Sequence, residues 1–322
     1  GVTFVKLLGP LWSAQPVAPQ IVPVPAAPDT GHLREVVDGL GRLARRPLRL
    51  VATVLPAVIA AVVDAVSRVI GGRSMATPFT APRTILNAPF TAGRNLAFTH
   101  LDLREVKRVK DHFGVKVNDV VAALVGGVVR QFLLDRGELP DTSLVALEPV
   151  SVHGLSDSSA RNQVSGMFVR LRTDLADPVE RVRAVAEANR IAKEQVAAIR
   201  PTLLEDLGET VGPVLLGIAK RVYGLLTRFR PMYNVILSNF PGPDPGRYFL
   251  GCEVTALHPV GPILLGAGIN FTVTTVNGRI NIGLTSCPDL VPDLAVLADG
   301  LPAGLSELLL EIDGGPTSSA VG

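Results

Sequence analysis

The sequence predicts an α/β protein, with α+β as the alternative, in which helices flank a mixed β-sheet. Stretches typical of strands and long stretches typical of helices alternate irregularly along the chain. The pair Asn277-Gly278 predicts one antiparallel hairpin, whereas several other connections are too long for hairpins. Hydrophobic residues make up 47% of the 322 residues and charged residues 19%, which is typical of a folded chain with a sizeable core.

Local sequence signals predict the first strand and the two helices that follow it. Apolar and polar residues alternate fairly well over 95–101, which predicts a strand. Asp102 is a capping residue for the next helix, which Gly114 should end. Residues 117–133 are apolar nearly all round, which predicts a core helix with Asn118 at its N-cap position.

The remaining elements follow from alternation and from helix start signals. Residues 143–152 and 167–175 are strand candidates, and 235–237 form an apolar strand that ends at a proline turn. The stretch 177–198 begins with an aspartate followed by a proline, the usual first residues of a helix. A closing helix is expected from about residue 291.

The first 80 residues differ in composition from the rest. Proline recurs from 10 to 28, which favours an extended crossover. Arginines flank apolar stretches within 31–70 and 203–230, which predicts either amphipathic helices on a membrane surface or buried helical hairpins. We therefore divide the chain into the end of an N-terminal lobe with its proline-rich crossover (1–30), an amphipathic helical linker (31–80) and a C-terminal lobe (81–322).

Charge and composition argue against several classes of protein. Because 31 basic residues are dispersed among 29 acidic ones, and aromatic residues make up only 5%, we expect no nucleic acid partner. Cys252 and Cys287 do not form a zinc or disulfide pattern, and we expect both to be buried free thiols. No GxGxxG or Walker loop occurs, so we expect no nucleotide cofactor. Since no CxxC arrangement suits zinc, we also expect no metal.

The histidines carry no recognisable catalytic motif. There is no HExxH, no histidine pair at helical spacing and no GxSxG nucleophile elbow. We expect His112 on an exposed helix end. The five histidines are His32, His100, His112, His153 and His258.

An ordered set of motifs nevertheless resembles the wax ester synthase/diacylglycerol acyltransferase family over nearly the whole chain. The motifs are PLW at 10–12, LNAPFTAGR at 86–94, VNDVVAALVGGVVRQFL at 117–133, LVALEPVSV at 144–152, ARNQVSGMFVRLRTD at 160–174, DPVERV at 177–182, NVILSNFPGP at 234–243 and the ending NGRINIGLTSCPDLVPD. Two departures concern substrate detail: His153 stands where an arginine is common, and Thr275-Val276-Asn277 replaces a more usual Ser-Tyr.

The resemblance implies a chloramphenicol acetyltransferase-like lobe that transfers an acyl group from acyl-CoA to diacylglycerol or to a long-chain alcohol, with no cofactor. Such enzymes use the second histidine of HHxxxDG as the general base, and this sequence lacks that motif. Gly1 resembles the last residue of HHxxxDG. We therefore expect this chain to be inactive alone and to bind an N-terminal fragment of the same protein as a second chain, with artificial truncation as the alternative.

Site residues follow from the same resemblance. Ser238, and after it Asn239, are candidates for the donor that stabilises the oxyanion, because a strand end before a proline turn holds side chains rigidly. We expect Asn118 and Asp119 to be supporting residues, with a salt bridge from Asp119 to Arg94. The residues expected at the substrate are Pro241, Gly242 and Asn270.

Two other functions remain open at this stage. One is a related CoA-dependent or carrier-dependent acyltransferase of the same fold, and the other is a non-catalytic protein that binds lipids or lipid droplets. The location expected for any of these is the cytoplasm, peripheral to the inner membrane or to lipid droplets.

Overall fold

The computed structural model describes residues 12–13, 67, 71, 74–151, 164–198, 217, 221, 223–227, 229–242 and 248–314. The chain divides into two compact units: one comprises residues 1–19, 75–196 and 226–322, and the other comprises 20–74 and 197–225. Everything described below belongs to the first unit unless stated. The boundary expected at residue 30 lies outside the described residues, and the three-part division stays a prediction.

A six-stranded mixed sheet organises the first unit, in the order β2-β9-β8-β5-β3-β4. Strand β5 lies parallel to β3 and β8, and the remaining pairs are antiparallel. The strands are β2 (Asn95–Asp102), β3 (Val145–Ser151), β4 (Val164–Arg170), β5 (Val235–Pro241), β8 (Ile269–Val276) and β9 (Arg279–Ser286). The expected mixed sheet is confirmed, because parallel and antiparallel neighbours meet at β5.

A second, smaller sheet joins the start of the chain to its final third. Its three strands are β1 (Trp12–Ser13), β6 (Tyr248–Phe249) and β7 (Cys252–Glu253). Strand β1 pairs with β6, and β6 pairs with β7, both antiparallel. Cys252 is exposed and Cys287 is buried, so the expectation of two buried thiols is wrong for Cys252, which lies on a two-residue strand whose residues are both exposed.

In the described part of the chain, four α-helices accompany the large sheet: α1 (Leu103–Phe113), α2 (Val117–Leu134), α3 (Pro178–Ala198) and α4 (Leu294–Gly314). The carboxylate of Asp102 caps α1 by accepting from the backbone N–H of Arg104, and Gly114 ends the helix with a φ of 66°. Asp177 similarly accepts from the backbone N–H of Glu180 at the start of α3, at 2.7 Å. These caps confirm the expected helix starts, since each satisfies an orphan amide.

The core lies on the face of the sheet that the helices cover. Helix α2 is long and apolar enough to cross a membrane, but it packs here in the main hydrophobic cluster. Alternation along β5 places Val235 and Leu237 in that cluster, whereas Ile236 belongs to a cluster on the opposite face. Alternate side chains of each strand therefore face the helices, and the others lie on the opposite face of the sheet.

The opposite face of β8 and β9 is buried but polar. A chain segment crosses it closely, because a Cβ on Gly283 would lie 1.8 Å from the carbonyl oxygen of Pro259. The polar residues buried on this face are Asn270, Thr272, Thr274, Asn281 and Thr285. The hairpin between the two strands turns at Asn277 and Gly278, with φ values of 51° and 75°, as their Asn-Gly sequence predicts.

Candidate active site along strand β5

Ser238 and Asn239 lie inside strand β5, which continues to Pro241 and does not end at residue 237 as predicted, and their side chains lie on opposite faces of the sheet. Ser238 is half-buried, pairs in register with Thr272, and makes no side-chain hydrogen bond to any described residue. Asn239 is exposed and lies on the helix-covered face. Because successive strand side chains point in opposite directions, these two residues cannot serve the same oxyanion together.

Asn239 begins a chain of two side-chain hydrogen bonds that ends inside the protein. Its amide nitrogen donates to Asn118 Oδ1 at 3.1 Å. The amide nitrogen of Asn118 in turn donates to Glu148 Oε2, also at 3.1 Å. Strand β5, the first turn of α2 and strand β3 thus contribute one side chain each to a single polar cluster.

Asp119 holds the start of α2 in place. The N-cap residue is Lys116, so the expectation of Asn118 at the N-cap is wrong. Instead Asp119 Oδ2 accepts from the backbone N–H of Lys116 at 2.9 Å, while Asp119 Oδ1 accepts from the amide nitrogen of Asn189 in α3 at 2.8 Å. This carboxylate satisfies an orphan amide at the helix start, which leaves the side chain of Asn118 available for the polar cluster.

Arg94 does not form the expected salt bridge with Asp119. Its guanidinium donates to the backbone carbonyl oxygens of Thr91 and Gly93, both at 2.6 Å, and its Cζ lies 5.0 Å from the centre of the Phe90 ring. The short loop that ends at Arg94 supplies these carbonyl groups, so the exposed side chain folds back on its own loop. The salt-bridge prediction is therefore wrong.

The three residues expected at the substrate lie in different surroundings. Asn270 is buried, donates to the Pro262 carbonyl oxygen at 2.7 Å and accepts from Thr272 Oγ1 at 2.8 Å, so both ends of its amide are engaged inside the protein. Pro241 is the last residue of β5. A Cβ on Gly242 would lie 2.1 Å from the carbonyl oxygen of Thr275, so this glycine allows β5 to end tightly against β8. Their contact with substrate stays a prediction, as does any role of Gly1, which lies outside the described residues.

The polar cluster lines a cavity of about 450 Å³. Among the described residues, the lining combines the cluster with apolar side chains and one cation, Lys193 of α3. Burial raises the pKa of Glu148 to about 7, against the lowering effect of the Asn118 hydrogen bond and of Lys193, and Asp119 raises it further. The cavity therefore contains a carboxyl group that changes its charge near neutral pH.

Two domains of known protein families match this chain. Residues 161–309 match the WS/DGAT C-terminal domain, and residues 1–121 match the wax ester synthase/diacylglycerol acyltransferase catalytic domain. The chain belongs to the wax ester synthase/diacylglycerol acyltransferase family.

Individual relatives of this acyltransferase family cover almost all of the chain. A Mycobacterium tuberculosis protein described as a candidate diacylglycerol O-acyltransferase is 47% identical over 320 residues, which is 99% of this chain and 64% of the relative. A protein of the same description from Mycobacterium bovis is 30% identical over 327 residues, which is 98% of this chain and 64% of the relative. The chain thus spans slightly less than two thirds of these relatives.

A solved structure supports the assignment of the fold. The wax ester synthase/diacylglycerol acyltransferase from Marinobacter aquaeolei VT8 matches with a TM-score of 0.63 and 25% identity, over 98% of this chain and 66% of that one. The expected chloramphenicol acetyltransferase-like α/β fold, a mixed sheet flanked by helices, is confirmed.

The cavity beside β5 contains two charged residues that the motifs did not point to, Glu148 and Lys193. Glu148 was not predicted at the site, because the stretch 144–152 was interpreted only as a strand and as a family motif. One signal was available: a carboxyl group interrupts an otherwise apolar strand, and buried carboxyl groups need partners. Lys193 lies in the middle of α3 and carries no comparable signal.

No histidine among the described residues lines this cavity. His112 is exposed at the end of α1, as expected. The His258 ring lies 5.1 Å from that of Phe98, and its pKa is lowered by burial and then by His100. His32 and His153 lie outside the described residues.

A second cavity, of about 380 Å³, lies between α2, the start of α3 and α4. Its two arginines already bind backbone carbonyls: Arg181 donates to Leu175 and Ala176, and Arg130 to Thr173. Among the residues that the structure describes, no group of three or more histidine, cysteine, aspartate or glutamate side chains is arranged to hold a metal ion. Of these two cavities, the one at β5 contains a buried side-chain oxygen without a partner among the described residues, Glu148 Oε1.

Proposed function

We propose that this chain forms the part of an acyltransferase that positions the acyl acceptor, in a reaction that moves an acyl group from acyl-CoA to diacylglycerol or to a long-chain alcohol. Membership of the acyltransferase family supports the reaction class. The structural observation that carries the proposal is the cluster of Asn239, Asn118 and Glu148 around one cavity.

The proposed chemistry needs a base and an oxyanion donor. A histidine takes the proton from the acceptor hydroxyl as its oxygen attacks the thioester carbonyl carbon, and the CoA thiol leaves when the tetrahedral intermediate collapses. This sequence has no HHxxxDG motif, so we place the base outside this chain, on an N-terminal fragment that joins it. The oxyanion donor is Ser238 or, second, Asn239.

Separate alanine substitutions distinguish the two donor candidates. In protein that also contains the HHxxxDG segment, loss of the true donor should lower kcat about a hundredfold with little change in the KM for acyl-CoA. Because Ser238 and Asn239 point to opposite faces, one substitution should have this effect and the other should not. Unchanged turnover in both variants would move the role to backbone amides.

The need for a partner segment is tested on the same material. Intact mass spectrometry shows whether an upstream fragment accompanies the chain, and the chain alone should form no triacylglycerol above background. Turnover by the chain alone would contradict the placement of the base. Assays with diacylglycerol, hexadecanol and carrier-bound acceptors separate this proposal from the related carrier-dependent acyltransferase and from a non-catalytic lipid-binding protein.

We also propose peripheral attachment to a membrane or lipid droplet in the cytoplasm. Leu226 and Phe229 are 44% and 73% exposed, and Arg230, next to Phe229 in the chain, is exposed as well. Apolar side chains flanked by arginines favour anionic lipid surfaces. Cosedimentation with anionic liposomes should weaken as salt rises, whereas exclusion from liposomes at every salt concentration would contradict the proposal.

A further inference from the structure

The two arginines of the second cavity have N–H groups that the described structure does not use. Arg181 is 8% exposed, and its Nε and Nη2 donate to the carbonyl oxygens of Leu175 and Ala176, whereas its Nη1 has no hydrogen-bond partner among the described residues. Arg130 donates only through Nη1, to the Thr173 carbonyl oxygen at 2.6 Å. Because a guanidinium has more N–H groups than these bonds use, both side chains have donors left for a ligand.

The unused edge of Arg181 can be reached from the cavity. A Cβ on Gly127, which also lines the cavity, would lie 2.8 Å from Arg181 Nη1. The absence of a side chain at this position of α2 therefore leaves room for the guanidinium at the cavity wall. Nη1 is not one of the fully buried polar atoms that lack a partner, so a ligand in the cavity can contact it.

The positive charges of the two arginines are not neutralised by a paired carboxylate. Burial lowers the pKa of Arg181, and the charge of Arg130 lowers it further, against a smaller opposite effect of Glu307. Asp135 and Glu307 line the cavity, but both are exposed, and in the described part of the chain neither forms a salt bridge with these arginines. A singly charged anion would gain from both guanidinium groups, whereas the two carboxylates disfavour a doubly charged one.

The remainder of the described lining is apolar or small, apart from Gln131. Its volume of about 380 Å³ is within the range of about 300 to 1,000 Å³ that is typical of small-molecule sites. The larger apolar side chains of the lining are Leu124, Val128, Phe132, Val182, Leu297 and Leu308. This combination of an apolar wall and two available guanidinium groups fits a hydrocarbon chain that carries one anionic group.

We propose that this cavity is a second ligand site, which binds a free fatty acid with its carboxylate on Arg181 and Arg130 and its chain along the apolar wall between α2 and α4. A planar carboxylate matches the fork of a guanidinium better than other singly charged groups do. The site is separate from the polar cluster at β5, because Arg130 lies about 18 Å farther along α2 than Asn118 at the usual helical rise. The inference goes beyond the proposed function, since a ligand here has no part in acyl transfer.

Val296→Glu places a carboxylate on the cavity wall, where it should repel an anionic ligand and interrupt the apolar lining. Val296 is 60% exposed on α4, so the substitution removes little buried surface. Ala303→Glu changes another exposed position of the same lining and should have the same effect, which keeps the test available if Val296→Glu folds poorly. Leu310→Glu is the matched control, because Leu310 is 72% exposed on the same helix and does not line the cavity.

Binding of octanoate and of octanamide, its uncharged analogue of nearly the same shape, is measured by calorimetry in protein that contains the HHxxxDG segment. The wild type should bind octanoate about tenfold to a hundredfold more tightly than octanamide, the range for one hydrogen bond to a charged group. Val296→Glu and Ala303→Glu should remove this preference. Leu310→Glu should keep it within about twofold.

Two results would overturn the inference. Equal affinity of the wild type for the two ligands would show that the arginines do not bind the carboxylate. Octanoate binding that is unchanged in the Val296→Glu and Ala303→Glu variants would place the ligand elsewhere, for example where the acyl chain of the substrate binds. Neither result depends on turnover, so a failure of this inference is distinguishable from a failure of the proposed function.

Discussion

Glu148→Gln should make the folded protein more stable above neutral pH and leave it unchanged in acid. Glu148 is buried in β3, and burial raises its pKa from the ordinary 4.5 to about 7. Below pH 4.5 the carboxyl is protonated in both the folded and the unfolded chain. Between pH 4.5 and 7 it ionises only in the unfolded chain, so the stability that the neutral carboxyl gives is lost as pH rises through this window.

The size of the effect follows from the two pKa values. One pKa unit corresponds to about 1.4 kcal/mol, so a rise from 4.5 to about 7 amounts to about 3 kcal/mol of unfolding free energy. A typical domain has a total stability of about 5 to 15 kcal/mol, so this difference is measurable. Glutamine resembles the neutral carboxyl and should not lose this stability above pH 7.

Urea denaturation at pH 5, 6, 7 and 8 tests the prediction. The difference in unfolding free energy between Glu148→Gln and the wild type should grow from about 1 kcal/mol at pH 5 to about 3 kcal/mol at pH 8. Glu194 is an exposed carboxylate on α3 that pairs with Arg190 at the surface. Glu194→Gln should show no such growth, because exposed ion pairs contribute about 0 to 1 kcal/mol. A variant less stable than the wild type by a constant amount at every pH would refute the reasoning, since Glu148 would then be an ionised, well-paired group.

Two further substitutions test the surroundings of the cavity. Asp119→Ala should lower the unfolding free energy by about 2 to 4 kcal/mol in urea denaturation, because it removes a helix cap and leaves the buried amide of Asn189 without its acceptor; an unchanged midpoint would contradict this role. Gly242→Ala should lower the melting temperature by several degrees, because its Cβ would lie 2.1 Å from the Thr275 carbonyl oxygen. Gly137→Ala is the control in the same calorimetric scans, because no atom would lie within 4 Å of the new Cβ. Any loss of stability in this variant should come only from the φ of 66° at residue 137.

The helix ends and the hairpin turn discussed here could be predicted from local signals in the sequence. Asp102, Asp177 and Gly114 are capping residues whose effect depends on the nearest turn of backbone, and Asn277-Gly278 satisfies a turn that requires positive φ. Such signals act over a few residues, so the sequence contains them in full. Family membership was equally accessible, because motif order is a property of the sequence.

Contacts between distant residues could not be predicted in the same way. The sequence suggested a salt bridge between Asp119 and Arg94, but these charges belong to different elements. Arg94 binds the carbonyl groups of its own loop, and Asp119 binds Asn189, 70 residues away. Nothing in local spacing decides between such partners, because the choice depends on which elements the fold brings together.

The sequence by itself determined the fold class, most helix starts, the hairpin and the acyltransferase family of this protein. Only the tertiary structure decided that Ser238 and Asn239 face opposite sides of the sheet and that Glu148 joins Asn118 and Asn239 at one cavity. The physical reason is that burial and neighbouring side chains together set the pKa of this carboxyl group. Both depend on how β3, β5, α2 and α3 pack, not on the residues beside Glu148 in the chain.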